Sequence, residues 1–293
     1  MFTSGYIALG VLALVFFLII GRSKLNSIPI WTSMLIGAGL LVGLQVISIE
    51  EAFKAIHLDV IIFLFGMFSI VSALDRSGVL RYVATKMLSK ANNDVNSILL
   101  VFIIGLGILS AFLVNDTIAL LGIPLVIQIS RQIGIRPTVL FIALAFGISI
   151  GSAMTPIGNP QNLLIVIRSG ISLPFLTFMK WLLIPTILNL FLTYFILKIY
   201  FKKELLKVSN HVNFSGKIVD TKDNELVLSS NTVINPYLAK ISVIILLFTI
   251  AGFIISEILQ FIFHITYFNI SVIAALGAIA LYALMNVEKY YMT

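Results

Sequence analysis

The sequence predicts an all-α polytopic membrane protein. Of its 293 residues, 60% are hydrophobic and only 11% are charged, and the mean hydropathy is +1.11. Soluble domains carry about 25% charged residues, so apolar surface on this scale needs a bilayer to accept it. Several apolar segments also approach the ~20 residues that a helix needs to cross a hydrocarbon layer of ~30 Å.

Three candidate spans come first, over residues 4–20, 28–49 and 59–74. The first lacks a positive N-terminal cluster and a cleavage pattern, so we interpret it as a retained helix and not a signal peptide. Residues 76–91 place Leu80, Ala84 and Leu88 on one helical face and Arg81 and Lys86 on the other. This pattern predicts a helix in the headgroup plane, with an ordinary exposed loop helix as the alternative.

A hairpin is predicted over residues 96–130. Residues 96–114 are apolar, Asn115, Asp116 and Thr117 interrupt them, and residues 118–130 form a second arm that contains Pro124. At 1.5 Å per residue, this second arm is only about 20 Å long, which is too short to cross the membrane comfortably. We therefore predict a re-entrant hairpin with its tip inside the membrane.

A broken helix is predicted over residues 137–168. One straight helix over residues 138–168 would be about 46 Å long, well beyond the apolar thickness, and Pro156 and Pro160 each lack a backbone donor. We expect one helix from Pro137 to about Gly151, a break over residues 152–160, and a second helix to about Arg168.

The rest of the chain completes the predicted organisation. Residues 173–200 form a long span, and two more spans cover residues 237–263 and 269–285. We predict a first transmembrane repeat over residues 1–200, a cytoplasmic linker over 201–235, and the first two helices of a second repeat over 236–293. Two similar helix pairs of opposite orientation are typical of an inverted-repeat transporter.

The basic residues predict the topology. If residues 96–130 leave and return on one side of the membrane, all of the 19 Lys and Arg residues except Lys54, Arg168 and Lys180 share one face. A single crossing would divide them almost evenly. The positive-inside rule favours the first arrangement, with the N-terminus outside and the linker and the C-terminus cytoplasmic. It does not separate a re-entrant hairpin from two full spans.

Two polar interruptions in apolar sequence define the candidate site. An unpaired polar group in hydrocarbon costs several kcal/mol, so irregular backbone at membrane depth must be buried by protein or line a cavity. We predict that the two stretches form the walls of one site. The candidate residues are Asn115, Asp116, Thr117, Ser152, Thr155, Gly158, Asn159, Pro160 and Asn162.

Asp116 is the strongest candidate for an ion ligand, because it is the only acid in the middle of an apolar segment, whereas Asp59 and Glu257 lie nearer the ends of their spans. An Asp in the membrane costs about 2.5 to 3.5 kcal/mol on insertion scales, so it should be paired, protonated or ion-bound. With Asn115 it could bind a coupling Na⁺, or it could carry a proton. The alternative is that Asp116 and Thr117 cap the second arm.

The loop over residues 152–160 offers two kinds of partner. The carbonyl end of the first half-helix suits a cation, and the positive N-terminal end of the second suits an anion. Asn159 and Asn162 could contact either. The alternative is a packing kink.

The composition also excludes several classes of function. The chain has no cysteine, and His57, His211 and His264 lie far apart, so a thiolate site and a zinc enzyme have no support. We attribute the net charge of +7 to membrane topology and not to a nucleic-acid partner. The sequence predicts no enzyme and no cofactor beyond a coupling Na⁺ or H⁺.

Residues 109–117, Pro124 and residues 150–162 together resemble the first repeat of the ion transporter superfamily. That superfamily includes arsenite permeases, citrate-metal symporters, NhaD-type antiporters and divalent anion/sodium symporters. Residues 63–75 resemble the helix before the hairpin there. The resemblance implies that Asn115 to Thr117 and the loop around Thr155 to Asn162 bind sodium and a substrate carboxylate. Family members also have a second hairpin and a second broken helix, so we expect this chain to be C-terminally incomplete.

The predicted function is secondary active transport of a small anion or oxyanion, such as arsenite or a dicarboxylate, coupled to Na⁺ or H⁺. A sodium-proton antiporter is one alternative. A truncated or half protein that is inactive without a second repeat is another. The expected partners are the lipid bilayer of the cell membrane, an inorganic or carboxylate anion, and either further copies of the chain or a separately encoded second half.

Overall fold

A computed structural model describes residues 2–21, 28–91, 94–171, 173–209, 235–263 and 269–291. Every regular element in these ranges is helical, which confirms the predicted all-α class. Five helical segments are long and apolar enough to cross a membrane: Ile49–Arg76, Val95–Leu113, Pro137–Met154, Pro174–Tyr200 and Pro236–Phe263.

Residues 1–58 form one compact unit. Its helices are α1 (Phe2–Gly21), α2 (Ile30–Gly43) and α3 (Ile49–Lys54). The predicted span over residues 28–49 is wrong in length, because α2 has only 14 residues. The chain turns at Gln45, which has a φ of 55°.

A capping box explains why the chain starts a new helix after this turn. The Ser48 hydroxyl accepts the Glu51 N–H at 3.1 Å, and the Glu51 carboxylate accepts the Ser48 N–H at 2.8 Å. Such a reciprocal pair satisfies donors at a helix start. Part of the segment between the second and third predicted spans is therefore helix α3.

Residues 59–293 form the second unit. Its helices are α4 (Leu58–Arg76), α5 (Val79–Ser89), α6 (Val95–Leu100), α7 (Leu106–Leu113), α8 (Asn115–Ile133), α9 (Pro137–Gly151), α10 (Pro160–Ser169), α11 (Pro174–Tyr200), α12 (Lys202–Ser209), α13 (Pro236–Phe263) and α14 (Ile270–Tyr291). A π-helical turn, Val101–Gly105, joins α6 to α7. Residues 210–234 of the predicted linker lie outside the described residues.

Helix α5 has the predicted amphipathic pattern. Leu80 and Ala84 are buried, whereas Arg81 and Lys86 are exposed. The apolar face therefore packs on protein. Its location in the headgroup plane stays a prediction.

The second arm of the hairpin is longer than predicted. Helix α8 has 19 residues, about 28 Å at 1.5 Å per residue. It is longer because Asn115, Asp116 and Thr117 form its first turn and because the helix continues past Ser130 to Ile133. The arm-length argument for a re-entrant hairpin is therefore wrong, and the choice between a re-entrant hairpin and two spans stays open.

Glycines let the first arm of the hairpin lie directly on α9. A Cβ atom at Gly147 would lie 2.7 Å from the carbonyl oxygens of both Phe102 and Ile103, and one at Gly151 would overlap the backbone of Gly107. Gly147 and Gly151 are four residues apart on one helix, the spacing that permits close backbone contact between membrane helices. This contact fixes the hairpin against the first half of the broken helix.

Helices α13 and α14 pack on the earlier helices of the second unit. The rings of Phe253 on α13 and Phe63 on α4 are 6.3 Å apart between centroids. A Cβ atom at Gly66 on α4 would lie 2.5 Å from the carbonyl oxygen of Ala274 on α14. Helix α13 also contacts α11.

Candidate functional site

The predicted break in the helix over residues 137–168 is present. After α9, Ser152–Met154 form a single 3-10 turn, and the chain is irregular until α10 begins at Pro160. Pro160 occupies the first position of α10, where its missing N–H costs nothing. Thr155 and Gly158 are buried, and Asn159, Pro160 and Asn162 are half-buried.

Two hydrogen bonds join the hairpin tip to this loop. In a continuous helix the N–H of Asn115 would bond the carbonyl of Ala111. Instead it donates to the Gly158 carbonyl at 2.9 Å, and the Ala111 carbonyl accepts the Thr155 hydroxyl. Each of the two backbone groups thus finds its partner across the gap between the tip and the loop: the Asn115 N–H in a backbone carbonyl and the Ala111 carbonyl in a side-chain hydroxyl. The predicted contact between the two stretches is confirmed, while their depth in a membrane stays a prediction.

The loop is also held by its own asparagines. Asn159 accepts the Asn162 N–H through its side-chain oxygen at 2.8 Å and donates its amide to the Ser152 hydroxyl at 3.2 Å. Asn162 donates its side-chain amide to the carbonyls of Ser152 at 3.0 Å and Thr155 at 2.8 Å. In this conformation the two side chains serve the loop, and Asn159 occupies one of the donors at the start of α10.

One apolar side chain of the tip and one of the loop pack into the same buried cluster. Val114 at the tip and Ile157 in the loop belong to one buried cluster, together with Phe63 of α4 and Phe253 of α13. Within the loop, Gly158 lies so close to Ser152 that a Cβ atom at Gly158 would overlap the Ser152 carbonyl. The loop is therefore tightly folded on itself and packs against the buried cluster through Ile157.

The tip side chains differ in their surroundings. The Asn115 side-chain oxygen is buried and has no hydrogen-bond partner among the described residues. Asp116 is exposed, and Thr117 is half-buried. The alternative in which Asp116 and Thr117 cap α8 is wrong, because Val114 holds the N-cap position and α8 has no side-chain cap.

The most buried acidic side chain among the described residues is Glu257, which does not lie at the tip. Glu257 on α13 is 3% exposed. The sequence suggested a smaller role, because Glu257 lies nearer the end of its span than Asp116. The signal that could have found it is a single acid within the apolar run of residues 250–263.

A helical multi-pass membrane protein with paired polar breaks in its helices is typical of one class, the membrane transporters with broken helices. Within that class, the chain belongs to the citrate transporter family (CitMHS), whose sequence model matches residues 14–291. The chain therefore belongs to a family of membrane transporters.

Individual relatives agree with this assignment. The putative transporter arsB of Dictyostelium discoideum is 29% identical over 194 residues, which cover 66% of this chain and 34% of that protein. The silicon efflux transporter LSI3 of Oryza sativa subsp. japonica is 28% identical over 171 residues, 58% of this chain and 35% of that protein. The inner membrane protein YbiR of Escherichia coli (strain K12) is 34% identical over 118 residues, 40% of this chain and 32% of that protein. The chain thus spans about a third of the length of these relatives.

Proposed function

We propose that this protein serves secondary active transport of a small anion or oxyanion, coupled to Na⁺ or H⁺. The observation that carries the proposal is the tip of the hairpin. There, the side-chain oxygen of Asn115 is buried and has no hydrogen-bond partner among the described residues, and the next residue, Asp116, has an exposed side chain. The Asn115 N–H bonds this segment to the broken-helix loop. Oxygen ligands at broken helices hold the coupling cation in secondary transporters.

The proposed anion lies on the α10 side of the same site. The N-terminal end of a helix carries partial positive charge and attracts anions. Asn159 occupies one donor of α10, so the anion would meet the helix dipole and the outer faces of Asn159 and Asn162. A citrate transporter family and a silicon efflux relative support an oxygen-rich solute as the substrate class.

The alternative proposal is a sodium-proton antiporter. Asp116 is the one ionisable side chain among the nine candidate residues and it is exposed, so it could exchange Na⁺ for a proton. In that case an anion would not change the binding of Na⁺. The dependence of Na⁺ binding on citrate or arsenite therefore separates the two proposals.

The test measures cation binding to the purified chain. A cation that binds only the folded state raises the thermal midpoint with concentration. We expect NaCl, compared with choline chloride, to raise the midpoint of the purified chain and to lose most of this effect in Asp116→Asn. Asp75→Asn, which removes an exposed acid at the end of α4, is the matched control.

An equal Na⁺ effect in Asp116→Asn and in the wild type would contradict a role for this carboxylate in Na⁺ binding. If the midpoint responds to pH and not to Na⁺, and only while Asp116 is present, the coupling ion is H⁺. If Asp75→Asn also loses the responses to Na⁺ and to pH, these responses reflect the overall charge of the protein and not a site at Asp116.

A further inference from the structure

The first turn of α11 cannot be capped by its own residues. Leu173 holds the N-cap position at a φ of 53° and has no side-chain acceptor, and Pro174 has no N–H. The N–H groups of Phe175 and Leu176 are among those that a helix leaves without an internal partner. In an apolar environment such donors need an acceptor from elsewhere.

Glu257 of α13 supplies that acceptor. Its Oε1 atom lies 2.6 Å from the Phe175 nitrogen, and its Oε2 atom lies 3.3 Å from the Leu176 nitrogen. Because both oxygens accept an N–H, this arrangement suits a carboxylate better than an amide, which has one oxygen only. The positive end of the α11 dipole further favours the negative charge.

The turn held by Glu257 lies behind the candidate site. Phe175 is 1% exposed and belongs to the same buried cluster as Val114 of the tip and Ile157 of the loop, as does Phe178 one turn later. Helix α11 also contacts the turn Ser152–Met154. A shift of the first turn of α11 would therefore reach the site through packed side chains.

We infer that Glu257 is a positioning residue for the tip and the loop. Its carboxylate fixes the first turn of α11 and thereby the positions of Phe175 and Phe178, which share a buried cluster with Val114 and Ile157. The inference rests on the proposed function only in taking the tip and the loop as the site. Glu257 lies on α13, which follows residues 210–234. A helix beyond the predicted linker therefore controls the geometry of the broken helix before it.

The absence of cysteine allows a direct test, since a single introduced cysteine reports local opening. The reporter is Ala153→Cys, a half-buried position in the 3-10 turn, and its labelling rate by a small maleimide is measured on the purified full chain. Ala52→Cys, half-buried in α3, is the reference reporter. Glu257→Gln is compared with the wild type and with Glu50→Gln, an exposed acid on α3.

We expect Glu257→Gln to raise the labelling rate at Ala153→Cys several-fold, and to leave the rate at Ala52→Cys unchanged. Glu50→Gln should change neither rate. Glu257→Asp keeps the charge on a shorter side chain and should give an intermediate rate, and it replaces Glu257→Gln if that variant does not fold. Equal acceleration at both reporters, or an unchanged rate at Ala153→Cys in a folded variant, would overturn the inference.

These readouts are independent of ion binding. A labelling change together with no response to Na⁺ or pH in the wild type would support the positioning role and refute the proposed function. A Na⁺ response in the wild type that is lost in Asp116→Asn, together with unchanged labelling in Glu257→Gln, would support the proposed function and refute the positioning role.

Discussion

Gly147→Ala is the sharpest test of the contact that fixes the hairpin on α9. A Cβ atom at this position would lie 2.7 Å from two carbonyl oxygens, whereas ordinary contact begins at 3.4 Å. Both oxygens belong to backbone, so they cannot move aside as a flexible side chain would. The two helices would have to separate by about 0.7 Å, the difference between those distances.

The expected cost follows from three contributions. Overpacking costs about 1–3 kcal/mol. Separation also strains the hydrogen bond between the Ser110 hydroxyl and the Ile148 carbonyl, which is 2.9 Å long; such a bond contributes about 1 kcal/mol. The higher helix propensity of Ala relative to Gly offsets about 1 kcal/mol of this loss. We expect a net loss of about 1–3 kcal/mol.

The measurement is the thermal midpoint of the purified chain. For chains of about 150–250 residues, 1 kcal/mol corresponds to about 2–4 °C, so Gly147→Ala should lower the midpoint by about 2–12 °C. Gly39→Ala on α2 is the control, because no heavy atom of the described chain lies within 4 Å of its added Cβ. It should be neutral or stabilising. Equal midpoints for the two variants would refute the close contact.

Two further predictions concern hydrogen bonds. Thr155→Val removes the donor to the buried Ala111 carbonyl and should cost about 1–3 kcal/mol, measured as a lower thermal midpoint. Thr85→Val, which removes a hydroxyl bonded within α5, should cost less, and equal losses would contradict the link between tip and loop. Asp94→Ala removes the cap of α6 and should cost about 1 kcal/mol at pH 7. Burial alone would raise the pKa of Asp94, but the hydrogen bonds from Ser97 and from the first turn of α6 lower it overall. The stabilisation should therefore be complete above pH ~4 and disappear as the pH falls further, and a difference in thermal midpoint between Asp94→Ala and the wild type that persists in acid would contradict this.

Local chemistry made the broken helix predictable. Pro156 and Pro160 lack donors wherever they stand, and no tertiary contact can restore them. The predicted bounds of α9 and α10 accordingly agree with the structure to within a residue or two. The length of α2 was harder to predict, because an apolar run continues past Gly43 and only the competing cap at Ser48 and the turn at Gln45 end the helix.

Tertiary contacts decided what the sequence could not show. In the sequence, Asp116 lies in the middle of an apolar run and Glu257 lies nearer the end of one, so the pattern predicts a larger role for Asp116. Burial depends instead on what packs around the side chain. Glu257 faces the uncapped start of a helix 81 residues earlier in the chain, and no local pattern reveals that partner.

The two hydrogen bonds between the tip and the loop also support the proposed role of the tip as a site. A helix that starts at membrane depth normally consumes nearby polar side chains as caps. Here the Gly158 carbonyl takes the Asn115 N–H, and the Thr155 hydroxyl serves the Ala111 carbonyl. The side chains of Asn115 and Asp116 therefore take no part in capping, and in the proposed function their oxygens bind the coupling ion. In the loop, by contrast, the side chains of Asn159 and Asn162 are occupied by hydrogen bonds to its own backbone. In the proposed function, the tip therefore supplies the ligands of the ion, and the loop, held by the hydrogen bonds of Asn159 and Asn162, forms the facing wall of the site.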